Sequence, residues 1–196
     1  MSKNPATIDF TGLFGFSLII LYGEALALCY KDVQDGLVSV VKSVKHLSVD
    51  GAYQSVVSTP KTRSSIRKVP IASNVKSLLD KHIELERQAA RSRGQTFNED
   101  SLVFPSETGK YRDHKNALMS FDRLLKRLGI PKDGRYIHTL RDTFATMNAR
   151  NGTPMSVTKE LLGHASIVMT ADIYTHLESE DRRQAVDSVS EKFNFD

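Results

Sequence analysis

The chain has 196 residues, 40% apolar and 26% charged, proportions ordinary for a soluble globular protein with one sizeable core, or a domain plus a tail. Its lone Cys29 excludes an internal disulfide and any clustered-thiol metal site, and fits a reducing compartment. The net charge of +4 is concentrated: Lys61, Arg63, Arg67 and Lys68 stand together with no acid, and residues 110–150 carry ten Lys and Arg against four Asp, so the remainder is net negative and a polyanion is a fitting partner.

In chain order, Leu13 to Tyr30 is an apolar run whose only charge is Glu24, long enough to raise a membrane span or an export signal. Asp9 precedes it where an export signal would be basic, no small-residue cleavage site follows, and Leu28 before Cys29 spoils a lipoprotein site. A carboxylate near mid-span would cost about 2.5–3.5 kcal/mol. The run therefore reads as a buried helix over 16–30, with no membrane partner and a cytoplasmic, nucleoid-associated location. Asp35-Gly36 makes a turn, and Leu37 to Val41 with the stretch toward Leu47 reads as a strand. Asp50-Gly51 turns it back into a strand over 53–57, Thr59-Pro60-Lys61-Thr62 turns again, and Ser65 to Ile71 supplies a third strand. Val75, Leu78, Leu79 and Ile83 predict an amphipathic helix over 73–91. Leu102 to Pro105 is a short apolar anchor. Helices follow over 114–128, with Leu118, Phe121, Leu124 and Leu125 inward, over 138–150, and from Pro154 to Leu162, where Gly163 stops the last. Residues 167–174 and 178–193 complete a mainly helical α+β domain with a small three-stranded antiparallel sheet and no internal boundary.

Residues 135–174 hold an uncommon set of polar groups: His138, Arg141, His164 and Tyr174, with Lys61 far upstream. Two imidazoles, a guanidinium, a phenol and an ammonium suit metal-free chemistry on a phosphodiester, with cations to neutralise the phosphate and a hydroxyl to attack it. At 100° per residue Leu140, Phe144 and Met147 form one side of their helix, while His138 and Arg141, at i and i+3, share the other and could grip one phosphate. Each feature alone has an ordinary structural explanation, such as a surface arginine, a helix stop followed by histidine, or a half-buried tyrosine.

Taken together, His138-x-x-Arg141, Leu162-Gly163-His164-x-Ser166-Ile167 and Tyr174-x-His176 resemble the tyrosine recombinase (phage integrase) family, most closely integrases of Gram-positive phages and transposons. The likeness extends to Glu24-Ala-Leu-Ala-Leu with Lys31-Asp32, to Thr59-Pro-Lys61-Thr with Arg67-Lys-Val-Pro-Ile71, and to Val103-Phe104-Pro105. The resemblance implies a catalytic domain over 1–196, without the amino-terminal DNA-clamping domain, that needs neither metal nor cofactor. It implies that Tyr174 attacks the scissile phosphate to leave a 3′-phosphotyrosyl bond, that Lys61 protonates the leaving 5′ oxygen, that Arg141 and His164 hold the non-bridging oxygens, and that His138 assists proton transfer. It also implies double-stranded DNA as partner, a tetramer on two sites, possible directionality or host factors, and a segment 178–196 that docks on a neighbouring protomer or closes its own core. Arg63, Arg67, Lys68, Arg112, Lys115 and Arg123 are the expected backbone-phosphate contacts.

One departure stands out. The family's first box places an arginine just before its Gly-Glu or Ser-Glu pair, whereas this chain runs Ile19-Ile20-Leu21-Tyr22-Gly23-Glu24 and has no arginine before Arg63. Loss of a phosphate-clamping arginine corresponds to roughly a hundredfold to a hundred-thousandfold in rate. A decayed domain that only binds DNA is therefore the alternative to an active recombinase. A type IB topoisomerase shares the chemistry but fits the Leu-Gly-His spacing less well.

Overall fold

The computed structural model describes residues 19–49, 52–60, 63–134, 136–168, 170–172 and 174. The expected helix over 178–193, the Asp50-Gly51 turn and Lys61 lie outside them.

A short helix, α1 (Tyr22–Ala27), is buried almost throughout. Its start is held by Glu24, whose carboxylate accepts from the Leu21 N–H at 2.7 Å, an N3 acid reaching back over an otherwise unsatisfied donor. Among the described residues the helix is thus shorter than the expected 16–30. After Leu28 the chain becomes extended, Cys29 bridges to Leu102, and Asp32 accepts from the Cys29 N–H at 2.8 Å. The described part of the apolar run, 19–30, thus passes through the core in two conformations. No helix among the described residues is long and apolar enough to cross a membrane.

Asp35 and Gly36 both have positive φ, 52° and 72°, and join β1 (Val33–Gln34) to β2 (Leu37–Val40) in a two-residue hairpin. β5 (Arg67–Pro70) pairs antiparallel with β2, completing a three-stranded sheet in the order β1-β2-β5. β3 (Ser43–Val49) and β4 (Ala52–Ser58) form a separate two-stranded ribbon. The strand expected from Leu37 toward Leu47 is therefore two strands in two sheets. Its break has a physical anchor: the Lys42 ammonium lies 3.4 Å from the Asp32 carboxylate and 2.9 Å from Cys29 Sγ, pinning a corner between Val40 and Ser43. α1 packs on β3, which Gly23 permits, since a Cβ there would meet Ser43 Oγ and Val44 O at 2.7 Å.

α2 (Ser73–Ser92) buries Leu79, His82, Ile83, Glu86 and Ala90, one stripe at helical spacing. Leu78, expected inward, is 57% exposed because it lies about 100° from Leu79 around the helix. Val103 and Phe104 are buried as expected, and His82 stacks on Phe104 while its Nε2 meets Val103 O at 2.5 Å. α3 (His114–Arg127) starts at Asp113, whose side chain accepts from the Lys115 N–H, and turns Phe121 and Leu125 inward with Leu118 and Leu124 packed at the core edge. α4 (Ile137–Arg150) and α5 (Met155–Leu162) pack on each other, and α5 also packs on β5.

The buried stripe of α4 is Ile137, Arg141 and Ala145, at i, i+4 and i+8. Met147, expected on the core side, is 58% exposed, while Leu140 packs at the core edge. An arginine therefore occupies a position that hydropathy assigns to solvent, because the groups it meets are backbone carbonyls.

Candidate active site

α5 ends in a left-handed residue, Gly163 at φ 68°, and the following N–H, that of His164, donates back to Lys159 O at 3.1 Å. This is a Schellman-type stop, for which glycine has no Cβ penalty. A second reason for glycine comes from packing. A Cβ at Gly163 would lie 2.9 Å from Arg67 Cδ and 3.1 Å from Arg67 Cζ, so the Arg67 side chain lies against the turn that presents His164.

Arg67 projects from the first residue of β5. Its Nε donates to Leu161 O at 2.9 Å, one terminal nitrogen donates to Glu24 Oε1 at 3.2 Å and Ser65 O at 3.1 Å, and the other donates to Glu24 Oε2 at 3.0 Å and Ile19 O at 3.2 Å. Arginine has five N–H donors, and all five have acceptors here. The two side chains of the pair are 6% and 5% exposed. Arg67 was expected on a DNA backbone; the structure instead places it inside, with its fork closed on a carboxylate and three carbonyls.

Arg141 approaches the same place from α4. It is 8% exposed, donates to Ile19 O at 2.8 Å and also donates to Leu162 O. Burial, reinforced by the Arg67 charge, pushes its pKa down to about 10, still far above neutrality, so the group remains a cation. His164 sits half-buried with Nδ1 paired to the Thr170 hydroxyl at 3.0 Å, which directs Nε2 the other way. Burial first, then the Arg141 and Arg67 charges, hold its pKa below the ordinary histidine value, so the imidazole is neutral at pH 7. Two guanidinium groups, the Glu24 and Asp142 carboxylates and one neutral imidazole thus lie close enough to act on one another. Such a cluster can bind an oxyanion and exchange a proton with it.

Tyr174 is held at the other half of α5. Its hydroxyl donates to Thr153 O at 2.9 Å and lies 2.7 Å from Thr158 Oγ1, and Thr158 is 0% exposed. Thr158 and Leu162 are four residues apart, about 6 Å along a helix axis. The phenol is therefore placed within one short helix of the guanidinium it would have to meet.

The remaining expected residues are less gathered. His138 is exposed on the first turn of α4. Arg63 opens a 3-10 turn over Arg63–Ser65. Lys68 is exposed on β5, opposite Ser39. Lys115 is exposed with its ammonium 4.9 Å from the centre of the Tyr53 ring, tying α3 to β4. Arg123 is exposed and bonded within its own helix, to Met119 O and Ser120 Oγ. Arg112 is half-buried, donates to Pro105 O at 2.6 Å, and its carbonyl meets His46 Nε2 at 2.9 Å. Sequence reasoning missed Thr158 and Thr170, two buried hydroxyls with no motif of their own beyond their spacing from His164.

Helices packed with a small antiparallel sheet have counterparts among solved structures. The structure matches the Tn1549 transposon integrase solved in complex with circular intermediate DNA, with a TM-score of 0.72 over 91% of this chain and 58% of that one at 22% identity. It also matches the XerA recombinase, with a TM-score of 0.58 over 96% of this chain and 62% of that one at 22% identity. These two likenesses concern the fold. Residues 22–181 match the model of the phage integrase family, and the chain belongs to that family. Among its relatives, a XerC-like tyrosine recombinase of Caldanaerobacter subterraneus subsp. tengcongensis is 31% identical over 191 residues, covering 92% of this chain and 48% of the relative. The ICEBs1 integrase of Bacillus subtilis is 29% identical over 171 residues, covering 86% and 45%. The chain thus spans about half the length of these curated relatives.

Proposed function

We propose that this chain is the catalytic part of a site-specific DNA recombinase that cuts and rejoins duplex DNA through a 3′-phosphotyrosyl intermediate. The observation that carries the proposal is the convergence of the Arg141 guanidinium with the His164 turn, within one helix of the Tyr174 hydroxyl. In the reaction the Tyr174 oxygen attacks phosphorus, the bond to the 5′ oxygen breaks, and Lys61 protonates that leaving oxygen. His138 takes part in moving the phenol proton. Arg141, as a cation, and His164, as a neutral hydrogen-bonding ring, stabilise charge on the non-bridging oxygens, where preorganised groups do most in a desolvated site. Rejoining is the same attack in reverse by a 5′-hydroxyl, so the link conserves its energy and no cofactor is required. Tyr174 must first leave Thr153 and Thr158, a movement of about one helical turn.

Duplex DNA as the partner is supported by the DNA bound in the Tn1549 integrase structure and by the exposed cations Lys68, Lys115 and Arg123. A tetramer on two sites and a nucleoid location follow from the same reading.

The test is a pool of nicked suicide duplexes with randomised core sequence, from which SDS-resistant protein-DNA adducts are recovered and sequenced. Adducts that disappear in Tyr174→Phe are the expected result. Salt-sensitive duplex binding with no adduct from any member of the pool would overturn the catalytic reading and leave a DNA-binding domain.

A further inference from the structure

The chain lacks the arginine of the first box, yet the pocket holds a second guanidinium, contributed by Arg67 from a different strand. We propose that Arg67 is a positioning residue of the clamp: it fastens Glu24, the Ile19 carbonyl and the end of α5 into one frame, and through that frame sets the place of Arg141 and of the turn that presents His164. The inference rests on the recombinase reading for its purpose, but its geometry stands apart from that reading.

Three segments distant in the chain meet on this one side chain. Glu24 and Ile19 come from the start of the described chain, Ser65 from the turn before β5, and Leu161 from the last turn of α5. The Ile19 carbonyl accepts from both guanidinium groups, from Arg67 at 3.2 Å and from Arg141 at 2.8 Å, so displacing one moves the acceptor of the other. On α5, Arg67 takes the carbonyl of Leu161 while Arg141 takes that of Leu162, adjacent groups on the turn that leads into Gly163. The flat contact of Arg67 with Gly163 fixes where His164 begins. A lysine could not reproduce this arrangement, because a single ammonium has three donors and no planar fork. With all five donors committed inside the protein, Arg67 has none left for a phosphate. Its contribution is order, and a positive field beside the imidazole.

The groups facing His164 are therefore Arg141 from α4, Arg67 from β5, Asp142 from α4, and the Thr170 hydroxyl beyond the turn. Removing Arg67 alone would strand the buried Glu24 carboxylate, so the informative variant is the double replacement Arg67→Gln with Glu24→Gln, which removes the pair as a unit.

The deciding measurement is an NMR titration of the His164 ring in the full chain, alone and without DNA. In the wild type its midpoint should lie below that of an exposed histidine, and in the double variant it should rise measurably while a folded spectrum is retained. An unchanged midpoint would overturn the proposal. A second measurement needs no variant: the Arg67 guanidinium protons of the wild type should be individually resolved and slow to exchange, whereas averaged, rapidly exchanging signals would also overturn it. Both readings are independent of DNA cleavage. A wild type that forms no adduct but shows these signatures would remove the recombinase reading and leave the positioning role standing.

Discussion

At the scale of single residues, the site depends on hydroxyls and carbonyls as much as on charges. Tyr174 is held by a buried threonine hydroxyl and a backbone carbonyl, and one such hydrogen bond is worth about 0.5–1.5 kcal/mol net. Thr158→Val keeps the shape of that side chain and deletes the bond. If the phenol must leave this berth to react, the variant should form covalent adduct about two- to tenfold faster, with an unchanged dependence of duplex binding on salt. A rate equal to or below that of the wild type in a single-turnover assay would show that the Thr158 contact does not restrain the nucleophile. Arg141 illustrates the same point from the other side. Its sequence neighbours suggest a surface arginine, but the acceptors that allow its burial, Ile19 O and Leu162 O, come from 122 and 21 residues away.

At the scale of elements, α1 is too short to be stable alone, and its position comes from what its third residue does. Glu24 closes the helix start through the Leu21 N–H and closes the Arg67 fork with the same carboxylate. Removing one partner of a buried pair leaves the other charge uncompensated, at about 3–5 kcal/mol. Glu24→Ala should therefore lose stability of that order in urea unfolding, and the paired replacement of Glu24 and Arg67 by Gln should lose less. Equal losses would mean that the pair is not the source of the effect. The same elements explain why the strand reading over 37–47 was only partly legible. Val38 and Val40 alternate in β2, and Val44 and Val49 mark β3, but the corner between the strands is set by Lys42 meeting Asp32, a contact invisible to periodicity.

At the scale of the whole molecule, burial of titratable groups ties stability to pH. His82 and His164 both have pKa values held below the ordinary value near 6.5, the first by burial in the core and the second by burial and two guanidinium charges. The unfolded chain binds protons at these residues more readily than the folded one below about pH 6.5, so their contribution is complete above that pH and is lost as pH falls through the folded values. Glu86 acts in the opposite sense, since burial raises its pKa and its contribution, present in acid, fades as pH rises. The urea midpoint should accordingly drop between pH 7.5 and 5.5, and His82→Gln should reduce the drop. A midpoint that holds steady across this range would contradict the burial of both rings as uncharged groups.

The order of chemistry-bearing residues determined the family, because His138, Arg141, Gly163-His164 and Tyr174 at these spacings serve no packing rule, and the family model spans the same stretch. Helices α2 to α5 were legible as well, since their starts, stops and apolar periods are local properties. Tertiary structure decided which cations are buried together and which lie on the surface. Arg67 and Lys68 are neighbours in sequence and look alike there, yet successive strand residues face opposite ways, so one closes on Glu24 and the other meets solvent.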